Sequence, residues 1–199
     1  MGAQAATMTA DAQETGVGAY DSKVGMWVFL GSEVMFFTGL IGAYVILRFG
    51  ASGTWPLPGE VLAVPITAVN TFILICSSVS MVKAFAAAEG GDHRGTWMWL
   101  LATFVMGSVF LGIQVYEYAE LIGHGFLPST GLYGSTFFTM TGFHGFHVFL
   151  GVLCVGFTTV KAYMGGYSDG SYRSIEVLGL YWHFVDLVWI ILFTIVYLI

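Results

Sequence analysis

The last apolar run of the chain constrains its fold most. It opens at Tyr181-Trp182-His183-Phe184-Val185-Asp186-Leu187-Val188-Trp189 and continues without a break to Ile199. Two ionisable groups, His183 and Asp186, stand inside it three residues apart, which on a helix places them on one face. An aspartate near the centre of a membrane helix costs roughly 2.5–3.5 kcal/mol on insertion scales, so both groups must face protein rather than lipid. A helix that is apolar along its length and polar on one face needs other helices beside it.

Four further apolar runs provide them. The sequence predicts an all-α polytopic membrane protein, a bundle of five transmembrane helices over about 24–47, 62–87, 96–121, 135–164 and 175–199. Each is long enough, at about 1.5 Å per residue, for a hydrocarbon core of about 30 Å. Only 9% of the 199 residues are charged, against about 25% in a soluble domain. Residues 1–22 have neither a basic nor an apolar stretch, so they read as a short disordered cytoplasmic tail and not as a signal peptide, ahead of a single domain over 23–199. Pro65 is compatible with the first turn of the second span, and Trp55-Pro56-Leu57-Pro58-Gly59 cannot continue a helix. Lys23, Lys83, Arg94, Lys161 and Arg173 all fall on the N-terminal side of such a bundle and Arg48 alone on the other, which puts the N-terminus in the cytoplasm and the C-terminus outside.

Composition excludes several functions. Six Lys and Arg in a chain of net charge -6 form no patch for nucleic acid. Cys76 and Cys154 lie in separate apolar runs and read as small packing residues. No nucleophile constellation or phosphate-binding glycine loop is present. Ser108-xxx-Gly112 and Gly39-xxx-Ala43 have the small-xxx-small spacing of helix packing points, and Asn70-Thr71 and Ser77-Ser78 can bond to neighbouring helices.

Candidate site residues are the polar groups that lipid would not tolerate: Glu33, Gln114, Glu117, His144, His147, His183 and Asp186. From residues alone they read as an internal polar cluster fixing helix packing, as a lipid-headgroup site, or as a proton relay. His144 and His183 are the pair to weigh as haem or copper ligands. No Met or Cys stands at ligand spacing and no paired pattern recurs on opposing helices, so no metal site is expected. His93 and His124 fall in loops. An independent carrier would show inverted repeats and broken helices, and neither is evident.

In order, the motifs are Ser32-Glu33-Val34-Met35-Phe36-Phe37, Trp55-Pro56-x-Pro58-Gly59, Asn70-Thr71-x-Ile73-Leu74 with Ser77-Ser78, Gln114-x-x-Glu117-Tyr118, Thr141-Gly142-Phe143-His144-Gly145-x-His147-Val148 and Tyr181 to Trp189. Together they resemble subunit III of the haem-copper respiratory oxidases, from about Val24 to the C-terminus. In that family Glu33 matches the carbodiimide-reactive carboxylate segment. The resemblance implies an accessory, non-redox subunit of a proton-pumping terminal oxidase that reduces oxygen to water. Haem and copper would lie in partner subunits, and this chain would contact catalytic subunit I, subunit II, a small subunit IV and phospholipid. It would stabilise the catalytic subunit and support proton uptake in a bacterial plasma membrane. The seven-helix form carries two more helices before the first span, so the present pattern resembles the five-helix form. An accessory subunit of a nitric oxide reductase shares that pattern and is the alternative.

Overall fold

The computed structural model describes residues 2–51, 55, 62–167 and 172–198, and for 2–21 the backbone only. Five helices follow one another: α1 (Gly2–Gly50), α2 (Val64–Glu89), α3 (His93–Gly123), α4 (Leu132–Tyr163) and α5 (Arg173–Phe193), the last extended by a π-helical turn, Thr194–Leu198. Each holds a stretch long and apolar enough to cross a membrane, beginning in α1 at Ser22. No strand occurs among the described residues. The backbone from Gly2 onward is continuous with α1. All of the Trp55 loop except Trp55 itself, and part of the polar turn after α4, lie outside the described residues.

The connections are short because the helix ends are chemically specified. Pro65 occupies the first turn of α2, where no backbone donor is lost. At the other end of α2, Gly91 adopts φ +72°, with Asp92 N bonded to Ala87 O at 2.9 Å and Gly91 N to Ala88 O at 3.2 Å. This is a Schellman closure, and the left-handed residue it needs is a glycine. Asp92 then caps α3 by accepting from Gly95 N at 2.9 Å. The chain thus reverses within a few residues, and α2 and α3 pack along their whole length. Gly125, at φ +81°, closes α3 in the same way, with Phe126 N on Leu121 O at 2.9 Å.

Burial ranks the helices. Over half of the apolar window of α5 is buried (56%), against 17% of that of α1. α5 is therefore the centre of the bundle, touching α1, α2 and α4, while α1 leans on α4 and α5 from outside. The surface is apolar, as lipid requires: Val28, Met35, Phe72, Val115 and Phe157 are exposed, while Thr67, Asn70, Ser77, Thr103 and Thr141 are buried. At the end that carries the N-terminus of α1, cations meet aromatic rings. Lys83 Nζ lies 4.4 Å from the Trp99 ring and Lys161 Nζ 4.7 Å from that of Tyr167, and Lys23 pairs with Glu176 at 2.6 Å. Such belts mark a membrane–water boundary.

Candidate functional site

The core is built on two tryptophans of α5, seven residues and so about two turns apart. Trp182 Nε1 donates to Ser77 Oγ at 3.0 Å and Trp189 Nε1 to Thr71 Oγ1 at 2.9 Å, both acceptors on α2. Ser77 and Thr71 can accept because their own hydroxyls donate within α2, to Leu74 O at 2.5 Å and Thr67 O at 2.7 Å. The indole of Trp182 is wedged between Gly107 of α3 and Gly151 of α4. A methyl group at those positions would stand 2.7 Å and 2.9 Å from its ring carbons. These glycines, and not Gly39 or Gly112, are the points of close approach, since nothing lies within 4 Å of a Cβ at either of the latter. Small-xxx-small spacing identifies a face that can be approached, and only the position of a bulky neighbour decides which face is.

The seven candidate residues do not converge on one point. Glu33 Oε2 of α1 lies 3.0 Å from His147 Nε2 of α4. The other ring nitrogen, Nδ1, is 2.7 Å from Phe143 O, and since a carbonyl only accepts, Nδ1 carries a hydrogen. One further proton is then held between Glu33 and His147, on the carboxyl or on Nε2. Phe36 and Phe37 flank the imidazole, and Tyr181 donates to the backbone oxygen of His147 at 2.9 Å. This is the link at mid-height between the peripheral helix and the bundle.

His183 does not pair with Asp186, its neighbour on the same face. Its Nδ1 meets Ser78 Oγ of α2 at 2.5 Å, and the buried Asp186 carboxyl lies near the same hydroxyl. His144 is fully buried, stacked on Trp189 at 4.8 Å and edge-on to Phe110 at 6.1 Å. Gln114 donates from Nε2 to Thr141 O at 3.1 Å and packs against Gly145, where a Cβ would meet its amide at 3.1 Å.

Glu117 faces Thr67 of α2 through a short contact between its Oε1 and Thr67 Oγ1. The same hydroxyl also lies 3.1 Å from Ala63 O, so a single hydrogen serves two acceptors unless the carboxyl itself donates. Glu117 stands with Glu120, His124, Thr130 and Tyr197 on a cleft of about 560 Å³ at the far end of α3. Glu120 is exposed, so the interval of three from Gln114 through Glu117 runs out of the core at the helix end.

Several contributors lie outside the candidate set. Tyr118, whose hydroxyl reaches Thr141 Oγ1 at 2.6 Å, and the Ser80–Thr103 bond at 2.7 Å tie α3 to α4 and to α2. A buried hydroxyl in an apolar run could have indicated them, but Ser and Thr also bond to their own helix, as Ser108 does to Phe104 O at 2.7 Å. Among the described residues no three His, Cys, Asp or Glu side chains converge as a metal site. A second cleft, of about 710 Å³, opens between α1, α4 and α5. Ser22, Lys23, Arg173 and Ser174 stand at its mouth, and Met26, Leu153, Phe157 and Leu178 line its walls.

Comparison with known proteins adds a family to this geometry. Residues 5–199 match the family model described as cytochrome c oxidase subunit III. A probable cytochrome c oxidase subunit 3 of Mycobacterium tuberculosis is 43% identical over 181 residues, covering 89% of this chain and 87% of the relative. The cytochrome c oxidase subunit 3 of Thermostichus vulcanus is 42% identical over 176 residues, with 88% and 86% covered. That of Corynebacterium diphtheriae is 40% identical over 179 residues, with 89% and 87% covered.

Proposed function

The chain belongs to the cytochrome c oxidase subunit III family, and from that premise we propose that it is the accessory, non-redox subunit of a proton-pumping haem-copper terminal oxidase in a bacterial plasma membrane. It packs against catalytic subunit I, in a complex with subunit II and a small subunit IV. The haem and copper centres belong to those partners, and the N-terminus is cytoplasmic. The polar groups Glu33, Gln114, Glu117, His144, His147, His183 and Asp186 hold the bundle together from within.

One observation carries this reading. The polar groups at mid-height are spent on links between helices: His147 of α4 bonds Glu33 of α1, His183 of α5 bonds Ser78 of α2 through Nδ1, and the His144 ring is packed between Phe110 and Trp189. The same commitment suits a subunit that supplies rigidity to a catalytic neighbour, supporting proton uptake by keeping that neighbour's surface in place. The Lys23–Arg173 cleft supports a phospholipid there, with its phosphate among two cations and two hydroxyls and its chains along Met26, Leu153 and Phe157.

Purification in mild detergent through a tag on the N-terminal segment tests the assignment. The expected outcome is co-purification of larger subunits, a reduced-minus-oxidised haem spectrum from the complex, and loss of haem when this chain is stripped free. Haem retained by the isolated chain would overturn the proposal and make His144, His147 and His183 ligand candidates.

A further inference from the structure

Two carboxyl groups close the far end of α3, where a helix favours cations. Glu117 and Glu120 lie one turn apart on one face, near enough for their charges to repel. Glu120 falls in the last turn before the helix ends at Gly123, and no basic residue stands in that turn. The carbonyl end of a helix carries partial negative charge, so it adds to the repulsion.

The rest of the chain does not compensate these groups. Lys23, Lys83, Arg94, Lys161 and Arg173 belong to the opposite end of the bundle, and Arg48 Nη1 donates to Tyr44 on its own helix at 3.4 Å. Neither carboxyl group has an ion pair among the described residues. Glu117 Oε1 takes the Thr67 hydroxyl, but Oε2 bonds to no described residue, although Glu117 is only 6% exposed. The start of α2 offers no further donor, because the amides of Val64, Ile66 and Thr67 are bonded to Leu62 O and Ala63 O.

Both carboxyl groups open on one cleft of about 560 Å³, a size within the range of small-molecule sites, about 300–1,000 Å³. Glu117 lies deep in it, Glu120 and His124 are exposed at its rim, and Tyr197 and Phe126 supply aromatic walls. This lining selects the chemistry of a ligand. An anion is repelled. A bare metal ion needs several close ligands, and no three acidic, imidazole or thiol groups converge among the described residues. An ammonium group fits, since it brings three donors and no acceptor, bonds carboxylates at hydrogen-bond distance and is attracted to aromatic faces.

We propose that this cleft binds an organic ammonium group, shared between the Glu117 and Glu120 carboxylates and flanked by Tyr197 and Phe126. The cleft sits where α3 ends and α2 begins, at the limit of the membrane-length helices. An aminophospholipid headgroup can therefore enter it from the bilayer, and a polyamine from the water. It lies at the opposite end of the bundle from the Lys23–Arg173 cleft and carries the opposite charge. The inference concerns this chain's own residues and does not depend on its place in the oxidase.

The test is calorimetric titration of the intact complex, in a nonionic detergent, with dihexanoyl phosphatidylethanolamine, dihexanoyl phosphatidylglycerol and spermidine. We expect the ethanolamine lipid to bind and the glycerol lipid, which lacks an ammonium, not to compete with it. Glu120→Gln, at an exposed position, should weaken binding about tenfold by removing one charge-assisted contact, and Glu117→Gln should weaken it further. Competition by spermidine would identify a general ammonium site, and binding without that competition a site for the lipid headgroup. Binding unchanged in Glu120→Gln, or equal binding of the two lipids, would overturn the proposal. So would a map of the complex in which a lysine or arginine of another subunit fills the cleft. If Glu117→Gln fails to assemble, Glu120→Gln still decides.

Discussion

Gly107→Ala tests the packing of the core most directly. A Cβ at this position would stand 2.7 Å from Trp182 Cη2 and 2.9 Å from Val152 Cγ2, where carbon atoms normally rest about 3.5–4.0 Å apart. The indole must therefore retreat by about 1 Å, and three contacts oppose it. It is fully buried, its Nε1 is bonded to Ser77 Oγ at 3.0 Å, and Gly151 backs it from α4 so closely that a Cβ there would be 2.9 Å away. Overpacking of this kind costs roughly 1–3 kcal/mol, and a ring pinned on three sides belongs in the upper half of that range. For a chain of this length, about 2–3 kcal/mol lowers the melting midpoint by roughly 4–10 °C. Gly112→Ala on the same helix is the control. Nothing lies within 4 Å of its Cβ, and alanine gains about 0.5–1 kcal/mol over glycine in a helix. The assay is thermal melting of the purified chain in nanodiscs by far-UV circular dichroism. A shift in tryptophan emission should accompany loss of the Trp182–Ser77 bond in Gly107→Ala. Equal melting of the two variants would refute the wedge.

Three further substitutions have expected outcomes. Glu33→Ala should leave the haem content of the complex unchanged and shorten its turnover lifetime. A double-mutant cycle with His147→Phe should give a coupling of about 1–3 kcal/mol, and zero coupling would mean that the pair does not hold α1. Thr67→Val keeps the shape of the side chain but takes away the hydroxyl that bonds the buried Glu117 carboxyl. It should cost about 1–3 kcal/mol in the same melt, whereas Thr139→Val, at an exposed hydroxyl that bonds only its own helix, should change little. Lys23→Ala removes a half-exposed ion pair with Glu176 and should cost under about 1 kcal/mol, a loss that disappears at high salt. A larger, salt-insensitive loss would show that the pair is screened from water in the assembled complex.

Much of the site was legible residue by residue, because membranes make polar residues conspicuous. Glu33, His147 and Asp186 each stand out in an apolar run, and the cost of exposing them to lipid sends them inward whatever their partners are. Partner choice was not legible. His183 and Asp186 share a face at a spacing of three, yet they do not bond each other, and both turn toward the same Ser78 hydroxyl of α2. Helix boundaries were readable to within a few residues, with Gly91, Gly125 and Pro65 marking where a helix could not continue unchanged.

The sequence alone determined that this chain makes five membrane-length helices with a polar interior, since apolar length and the cost of burying charge in lipid are properties of each segment by itself. The tertiary structure decided which glycines are crossed, which histidine takes Glu33 and which takes Ser78. Those outcomes depend on the rotation of each helix against its neighbours. That rotation is fixed by bulky side chains such as Trp182 and Trp189 finding space and a hydrogen-bond acceptor on another helix, and no segment carries it alone.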